Sequence, residues 1–227
     1  MKSSLIILTR NEIEGVKALF NKIPFDKFDE FFDIDYCSTD GTKKFLEEKR
    51  IRVIPQIKKG RGEAFRQAAE VASGNILVFF SPDGNENPLD TIKLKEAVEQ
   101  GYDMAIASRF LPGATYEESD FFIPYRNLAN RVFAFLANLF FRGNLSDPIN
   151  GFRAVKKDKF KEFKVDASGF AVEYQMSIRA MKLGQKIKEI PTQERKRIGG
   201  KSKCKSIPVG SDLLKILLKE ILIGKNF

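Results

Sequence analysis

Short apolar runs alternate along the first half of the chain with segments whose apolar residues recur at helical spacing. Residues 5–8, 31–36, 52–57, 76–80 and 103–108 are such runs and read as buried strands. Between the first two, Ile13, Val16, Leu19 and Phe20 fall on one helical face. A second helix is predicted behind the N-cap candidates Ser38, Thr39 and Asp40, running to about residue 49, with further helices over 63–72 and 89–99. Strands and helices alternating at this pace predict parallel βαβ units, hence an α/β, doubly wound, mostly parallel sheet.

After Phe110 the pattern changes. Residues 111–123 read as a long loop of the lid type, 124–141 as a helix opening near Pro124, and 147–153 as a turn. A helix over 171–183 and a strand over 186–192 follow, then a strongly basic loop at 195–205. Residues 211–223 form an amphipathic helix in which Leu213, Leu214, Leu217, Leu218, Ile221 and Leu222 oppose Lys215 and Lys219.

The run at 76–80 stops abruptly in Ser81-Pro82-Asp83-Gly84-Asn85-Glu86. Ligands of open α/β sheets bind beyond the carboxyl ends of strands. A carboxylate planted there, with Asn85 and Glu86 behind it, suits a hard divalent cation; the same residues also read as an acidic turn after a core strand. Loops 9–12, 35–42 and 81–86 follow the first, second and fourth strands and converge on one crevice. Asp35, at a strand end, is placed to accept from the imino N–H of uracil or guanine. Gly60-x-Gly62 ahead of a helix lets backbone N–H groups approach an anion, or serves a turn that needs positive φ.

Charge narrows the partners. Lys and Arg number 39 against 30 Asp and Glu, a net charge of +9 that suits nucleotide phosphates or an acidic membrane surface. No nucleic-acid-binding motif accompanies the charge, so nucleic acid is not expected as a partner. Histidine is absent, which removes imidazole acid–base chemistry and His–Zn sites. The two cysteines, Cys37 and Cys204, form no metal or disulfide framework and fit a reducing, cytoplasmic compartment. No signal peptide is visible, and the longest apolar stretch, 128–141, is interrupted by Asn130, Arg131 and Asn138. The expectation is a chain that does not cross a membrane but can lie on its cytoplasmic face; homo-oligomerisation is left open.

Taken in order, the motifs Thr9-x-Asn11-Glu12, Asp35-x-x-Ser38-x-Asp40-Gly41-Thr42, Gly60-x-Gly62-x-Ala64, Pro82-Asp83-Gly84, Ser108-Arg109-Phe110, Asp147-x-x-x-Gly151-Phe152-Arg153, Glu189-Ile190-Pro191 and Arg197-x-x-Gly200-x-Ser202-Lys203 resemble family-2 glycosyltransferases. The resemblance is to the dolichol-phosphate mannose synthase, or polyprenyl-phosphate glycosyltransferase, group, and it runs from residue 9 to about 205. It implies a GT-A fold with a Rossmann-like nucleotide-binding half, a GDP- or UDP-sugar donor, Mg²⁺ or Mn²⁺, and inversion at the anomeric carbon. Thr9, Asn11, Glu12, Asp35, Gly60 and Gly62 would hold the nucleotide. Asp83, with Asn85, would ligate the metal. Arg109, Arg126 and Arg197 would hold phosphates of donor and acceptor, with Ser202 and Lys203 on the acceptor side. Glu173 lies where the family often has an acidic residue, or else pairs on its own helix.

Two departures stand out. Ser81 replaces the first Asp of the usual Asp-x-Asp metal motif, and Tyr36 replaces the second of a usual Asp-Asp pair. Losing a carboxylate lowers metal affinity unless Asn85, Glu86 or the diphosphate completes the coordination. A sugar hydroxyl needs a general base such as Asp147, whereas a lipid phosphate is already ionised and needs positioning and charge neutralisation. The basic loop beside an amphipathic helix suits a polyprenyl phosphate at a membrane surface. The alternatives are a cell-surface glycan acceptor and a catalytically weak, transferase-like nucleotide-binding module. The expected organisation is a transferase domain over 1–205 and a C-terminal amphipathic helix over 206–227.

Overall fold

A computed structural model of the chain describes residues 1–116, 123–199 and 206–227. Its strands are β1 (Ser3–Thr9), β2 (Glu30–Asp35), β3 (Arg52–Pro55), β4 (Ile76–Phe80), β5 (Met104–Ser108), β6 (Thr115–Tyr116), β7 (Arg153–Lys156), β8 (Ile187–Pro191) and β9 (Gln193–Glu194). Seven of them make one sheet in the order β3-β2-β1-β4-β7-β5-β8, and β6 pairs with β9. All neighbours in the large sheet run parallel except β7, which is antiparallel to both β4 and β5. The expected α/β, doubly wound GT-A architecture is therefore present.

The helices are α1 (Ile13–Leu19), α2 (Thr42–Glu48), α3 (Arg61–Val71), α4 (Asp90–Glu99), α5 (Ile123–Phe141), α6 (Lys157–Phe163), α7 (Val172–Lys182) and α8 (Ser206–Ile223). Successive strand residues face opposite sides of a sheet, so the continuous apolar runs serve two cores. Ile6, Leu8, Leu77, Phe79 and Met104 pack on one side with Phe65 of α3, Phe160 of α6 and Met176 of α7. Leu5, Ile7, Val78 and Phe80 pack on the other side with Leu94, Ala97 and Val98 of α4. Phe65 stacks on Phe79 with ring centroids 4.0 Å apart, which fixes α3 over the centre of the sheet.

Several elements differ from the sequence expectation, among them β6 and β9, which fall where no strand is predicted. Residues 147–153, read as a turn, lead into β7, whose four residues Arg-Ala-Val-Lys show no apolar run. Arg153 is nevertheless fully buried. Its guanidinium donates to the carbonyls of Pro148, Asn150 and Glu173, and burial lowers its pKa to about 10. Helix α6 follows it directly and was not anticipated either.

The C-terminal helix shares a core with the rest. Leu213 and Leu217 pack with Ala137 of α5 and with Tyr174 and Ile178 of α7. Glu220 is fully buried between Arg179 and Lys182. The predicted apolar arc is divided as a result: Leu214, Leu218 and Leu222 remain exposed. No helix of the described residues is long and apolar enough to cross a membrane.

Candidate active site

The three loops predicted to converge are tied together by side chains. The Asn11 N–H donates to Ser38 Oγ at 2.8 Å, and the Thr39 N–H donates to Asn11 Oδ1 at 2.7 Å. Asn11 adopts a positive φ of 53° in doing so, a conformation Asn tolerates better than most residues. The Glu12 N–H donates to Thr42 Oγ1 and the Ile13 N–H to Asp40 Oδ2, so the second loop caps the start of α1. Helix α1 also meets the loop after β4 closely: a Cβ on Gly15 would lie 2.1 Å from the Pro82 carbonyl oxygen.

Between these loops opens a crevice of about 420 Å³, lined among others by Thr9, Arg10, Glu12, Tyr36, Lys59, Gly60, Arg61, Ser81, Asp83, Phe170 and Arg197. It lies at the carboxyl ends of the parallel strands, where ligands of such sheets bind. Arg10 rests 5.0 Å from the centre of the Tyr36 ring, so the residue at the second-Asp position forms a wall of the crevice.

Asp83 is the central acid. The Arg197 guanidinium donates through Nη1 to Asp83 Oδ2 at 2.7 Å, and through Nη2 to Glu12 Oε2. Residues 195–198 are docked on this turn by their backbone: the Ile198 N–H donates to the Asp83 carbonyl and the Arg195 N–H to that of Asn85. Burial lifts the Asp83 carboxyl above its ordinary value, against the pull of Arg197. Asp83 Oδ1 accepts from the Asn85 N–H at 3.1 Å, and Asn85 Oδ1 is buried without a hydrogen-bond partner among the described residues. Glu86 is folded back, its Oε2 accepting from the Ser81 N–H at 2.7 Å, and burial pushes its carboxyl well up.

These hard oxygens fit a divalent cation in kind, but among the described residues no three Cys, Asp or Glu side chains converge as a metal site. Asp83 would hold such an ion together with a bound diphosphate, after Arg197 yields.

The remaining predicted residues sit as follows. Thr9 and Asp35 are buried side by side; Thr9 Oγ1 lies 3.2 Å from Asp35 Oδ1 and 2.9 Å from Asp33 Oδ2. Asp35 Oδ2 accepts from the Ser38 N–H, so Asp35 stands behind the crevice wall. Gly60 lines the crevice, but the Gly62 N–H donates to the Ser168 carbonyl at 2.9 Å rather than facing an anion. Gly62 is needed because α3 runs close to residues 167–168: a Cβ there would lie 1.9 Å from the Ala167 carbonyl oxygen. Arg109 and Asp147 form a bidentate pair, Nε–Oδ2 2.7 Å and Nη2–Oδ1 2.9 Å, with the Arg109 N–H also donating to Asp147. A chain of contacts through Glu194 and Asn85 links this pair to Asp83. Arg126 lies near the start of α5, outside the crevice lining. Ser202 and Lys203 fall outside the described residues.

Sequence reasoning missed Arg61. It heads α3, bonds Glu173 through Nε, and approaches Ser81 Oγ with Nη1 at 3.3 Å. The available signal was its place as the middle residue of Gly60-x-Gly62, directly behind Lys58-Lys59.

Comparison with known proteins agrees with this architecture. Residues 4–164 match the family model described as "Glycosyl transferase family 2". A dolichol-phosphate mannosyltransferase of Pyrococcus furiosus is 28% identical over 215 residues, which cover 90% of this chain and 60% of that protein. A polyprenol monophosphomannose synthase of Mycolicibacterium smegmatis is 26% identical over 230 residues, covering 95% of this chain and 85% of that one. Among solved structures, glucosyl-3-phosphoglycerate synthase of Mycobacterium tuberculosis, in complex with Mn²⁺, UDP and glucosyl-3-phosphoglycerate, superposes with a TM-score of 0.73 at 20% identity. That match covers 97% of this chain and 80% of the other, and it shows the fold.

Proposed function

The chain belongs to the family-2 glycosyl transferases, and we propose that it is an inverting hexosyltransferase moving a sugar from a nucleoside-diphosphate sugar to a polyprenyl phosphate. The observation that carries the reading is the crevice at the carboxyl ends of β1, β2 and β4. It sets the carboxylates of Glu12 and Asp83 among the cations Arg10, Lys59, Arg61 and Arg197. A nucleotide's base and diphosphate together need such a mixed, elongated cleft. The Pyrococcus and mycobacterial relatives, by their names, act on dolichol and polyprenol phosphates.

The state of Asp147 supports the lipid-phosphate acceptor. Its carboxylate is 1% exposed, and both oxygens are engaged by Arg109. A carboxylate held this way is a poor general base for a sugar hydroxyl. An ionised lipid phosphate needs none, and that disfavours the glycan acceptor. In the transfer, a phosphate oxygen of the acceptor forms the bond to the anomeric carbon from the face opposite the leaving diphosphate. The carbon–oxygen bond to that diphosphate breaks, and the nucleoside diphosphate departs. Arg197 would orient and neutralise phosphates, and Thr9, Glu12 and the Tyr36 wall would position the nucleoside. A Mg²⁺ or Mn²⁺ ion on Asp83 would supply Lewis-acid stabilisation of the leaving diphosphate.

Such an acceptor lies in a membrane. The exposed apolar residues Leu128, Val132, Phe135 and Leu139 of α5, with Leu214, Leu218 and Leu222 of α8, suit shallow contact at the headgroup boundary. Such contact would hold the protein peripherally on the cytoplasmic leaflet.

The test is transfer itself. The purified chain is incubated with labelled GDP- or UDP-hexoses and a polyprenyl phosphate in detergent. The expected product is a lipid-phosphate-linked sugar, abolished in Asp83→Ala without loss of the fold. Transfer to a glycan hydroxyl with none to lipid phosphate would refute the acceptor assignment. Nucleotide binding without transfer to either would favour the transferase-like binding module.

A further inference from the structure

Ser81 stands where the family resemblance implies a first metal-binding Asp, and beside it stands Arg61, counted above among the crevice cations but given no role of its own. Arg61 is the first residue of α3, and its side chain is about 20% exposed, opening on the same crevice as Ser81 and Asp83. Its Nε is held by Glu173, itself 3% exposed, and its Nη1 lies 3.3 Å from Ser81 Oγ. The guanidinium also lies over Phe65 at 5.4 Å and Phe170 at 6.0 Å from the ring centres. Room for it is reserved: a Cβ on Gly151 would come within 2.3 Å of Arg61 Nη2 and 2.8 Å of Glu173 Oε1. Among the described residues, Glu173 and Ser81 are its only hydrogen-bonding partners, and they engage two of its five N–H groups.

We propose that Arg61 is a donor-diphosphate-binding residue, a fixed cation that takes over part of the work of a second acidic metal ligand. Nucleoside diphosphate binding would then keep much of its strength without divalent metal. The inference rests on the nucleotide-sugar transferase reading above. Its physical basis is a pairing of two positions. A carboxylate at 81, at this distance, would pair with Arg61 and cancel its charge towards a ligand. Glu173 already pairs with Nε; a serine hydroxyl adds no second carboxylate and orients the Nη edge. Glu173, bound at Nε, fixes the plane of the guanidinium, and a planar fork so fixed matches two phosphate oxygens.

Calorimetry of the full chain with UDP and with GDP, each in Mg²⁺ or Mn²⁺ and in chelator, tests this. One nucleotide is expected to bind in both conditions, with less than about a tenfold loss of affinity in chelator. Arg61→Gln should weaken that chelator-resistant binding by about 10- to 100-fold, the range of one or two lost charge-assisted hydrogen bonds. Binding of the free nucleoside, uridine or guanosine, should be unchanged, which a merely structural role of the Arg61–Glu173 pair would not produce. Ser81→Asp keeps that pair and should make nucleotide binding chelator-sensitive, so the proposal stays testable if Arg61→Gln does not fold. Wild-type binding that vanishes in chelator, or an Arg61→Gln variant that binds like wild type, would overturn the role of Arg61 while leaving the transferase reading in place. No binding of either nucleotide under any condition would overturn both.

Discussion

Removing the carboxylate of Glu220 should unseat the C-terminal helix from the outside in. Glu220 is fully buried, accepting from Arg179 Nε at 2.8 Å, Lys182 Nζ at 2.6 Å and Gln175 Nε2 at 2.9 Å. Arg179 is 2% exposed and Lys182 8%, so Glu220→Ala removes the carboxylate these two buried cations share, leaving Arg179 the Phe163 and Lys164 carbonyls with the more distant Asp166, and Lys182 the carbonyl of residue 220. Breaking a buried pair in this way costs about 3–5 kcal/mol, because the uncompensated charge remains. In a chain of this size each kcal/mol moves Tm by roughly 2–4 °C, so the expected fall is about 10 °C. Thermal unfolding followed by far-ultraviolet circular dichroism measures it. Asp212→Ala on the same helix is the control: it breaks the exposed pair with Lys215 and should change stability by less than about 0.5 kcal/mol. Replacing all three charges together, with Glu220→Leu, Arg179→Met and Lys182→Met, should recover much of the loss, since an apolar set of similar volume avoids desolvation. Equal melting of Glu220→Ala and Asp212→Ala would refute the reasoning.

Further outcomes follow from the same geometry. Burial alone would raise the Glu220 carboxyl, but hydrogen bonds from Arg179, Lys182 and Gln175 outweigh it and hold its pKa below the ordinary 4.5. A depressed folded pKa stabilises above the unfolded value and is lost as pH falls through the folded one. Melting temperature should therefore decline as pH drops below 4.5, less steeply in Glu220→Gln. Gly84 has φ of 100°, and a Cβ on it would lie 2.6 Å from the Ile198 backbone nitrogen. Gly84→Ala should cost about 1–2 kcal/mol in backbone strain and undock residues 195–199, seen as faster tryptic cleavage after Arg195 and Arg197. Phe79→Ala removes the ring stacked on Phe65 at the centre of one core and should cost about 3–5 kcal/mol in chemical denaturation.

Much of the fold was legible in the chain because its parallel strands are buried on both faces. Such strands read as unbroken apolar runs, as Ile76-Leu77-Val78-Phe79-Phe80 does, and they alternate with helices of regular period. The crevice was legible for the same reason: strand ends locate the loops, and loops 9–12, 35–42 and 81–86 do meet. What escaped were elements whose logic is not apolar. Strand β7 begins with a buried arginine satisfied by carbonyls, a pattern that resembles a surface turn until those carbonyls are in place. Helix α6 hides among three lysines, two acids and two aromatics, of which Phe160 and Phe163 turn inward.

By itself, the sequence determined the class of the sheet, the positions of its binding loops and the family, because local periodicity and ordered motifs carry that information along the chain. Pairings between residues far apart in the chain belong to the tertiary structure. Only the fold placed Arg61 against Ser81 and Glu173, residues 20 and 112 positions away, and Arg197 on Glu12 and Asp83, 185 and 114 positions away. Only the fold decided that Asp147 is locked by Arg109, and that α8 gives one half of its apolar arc to the core and leaves the other exposed. A charge's role depends on what faces it in space, and spacing along the chain does not encode that.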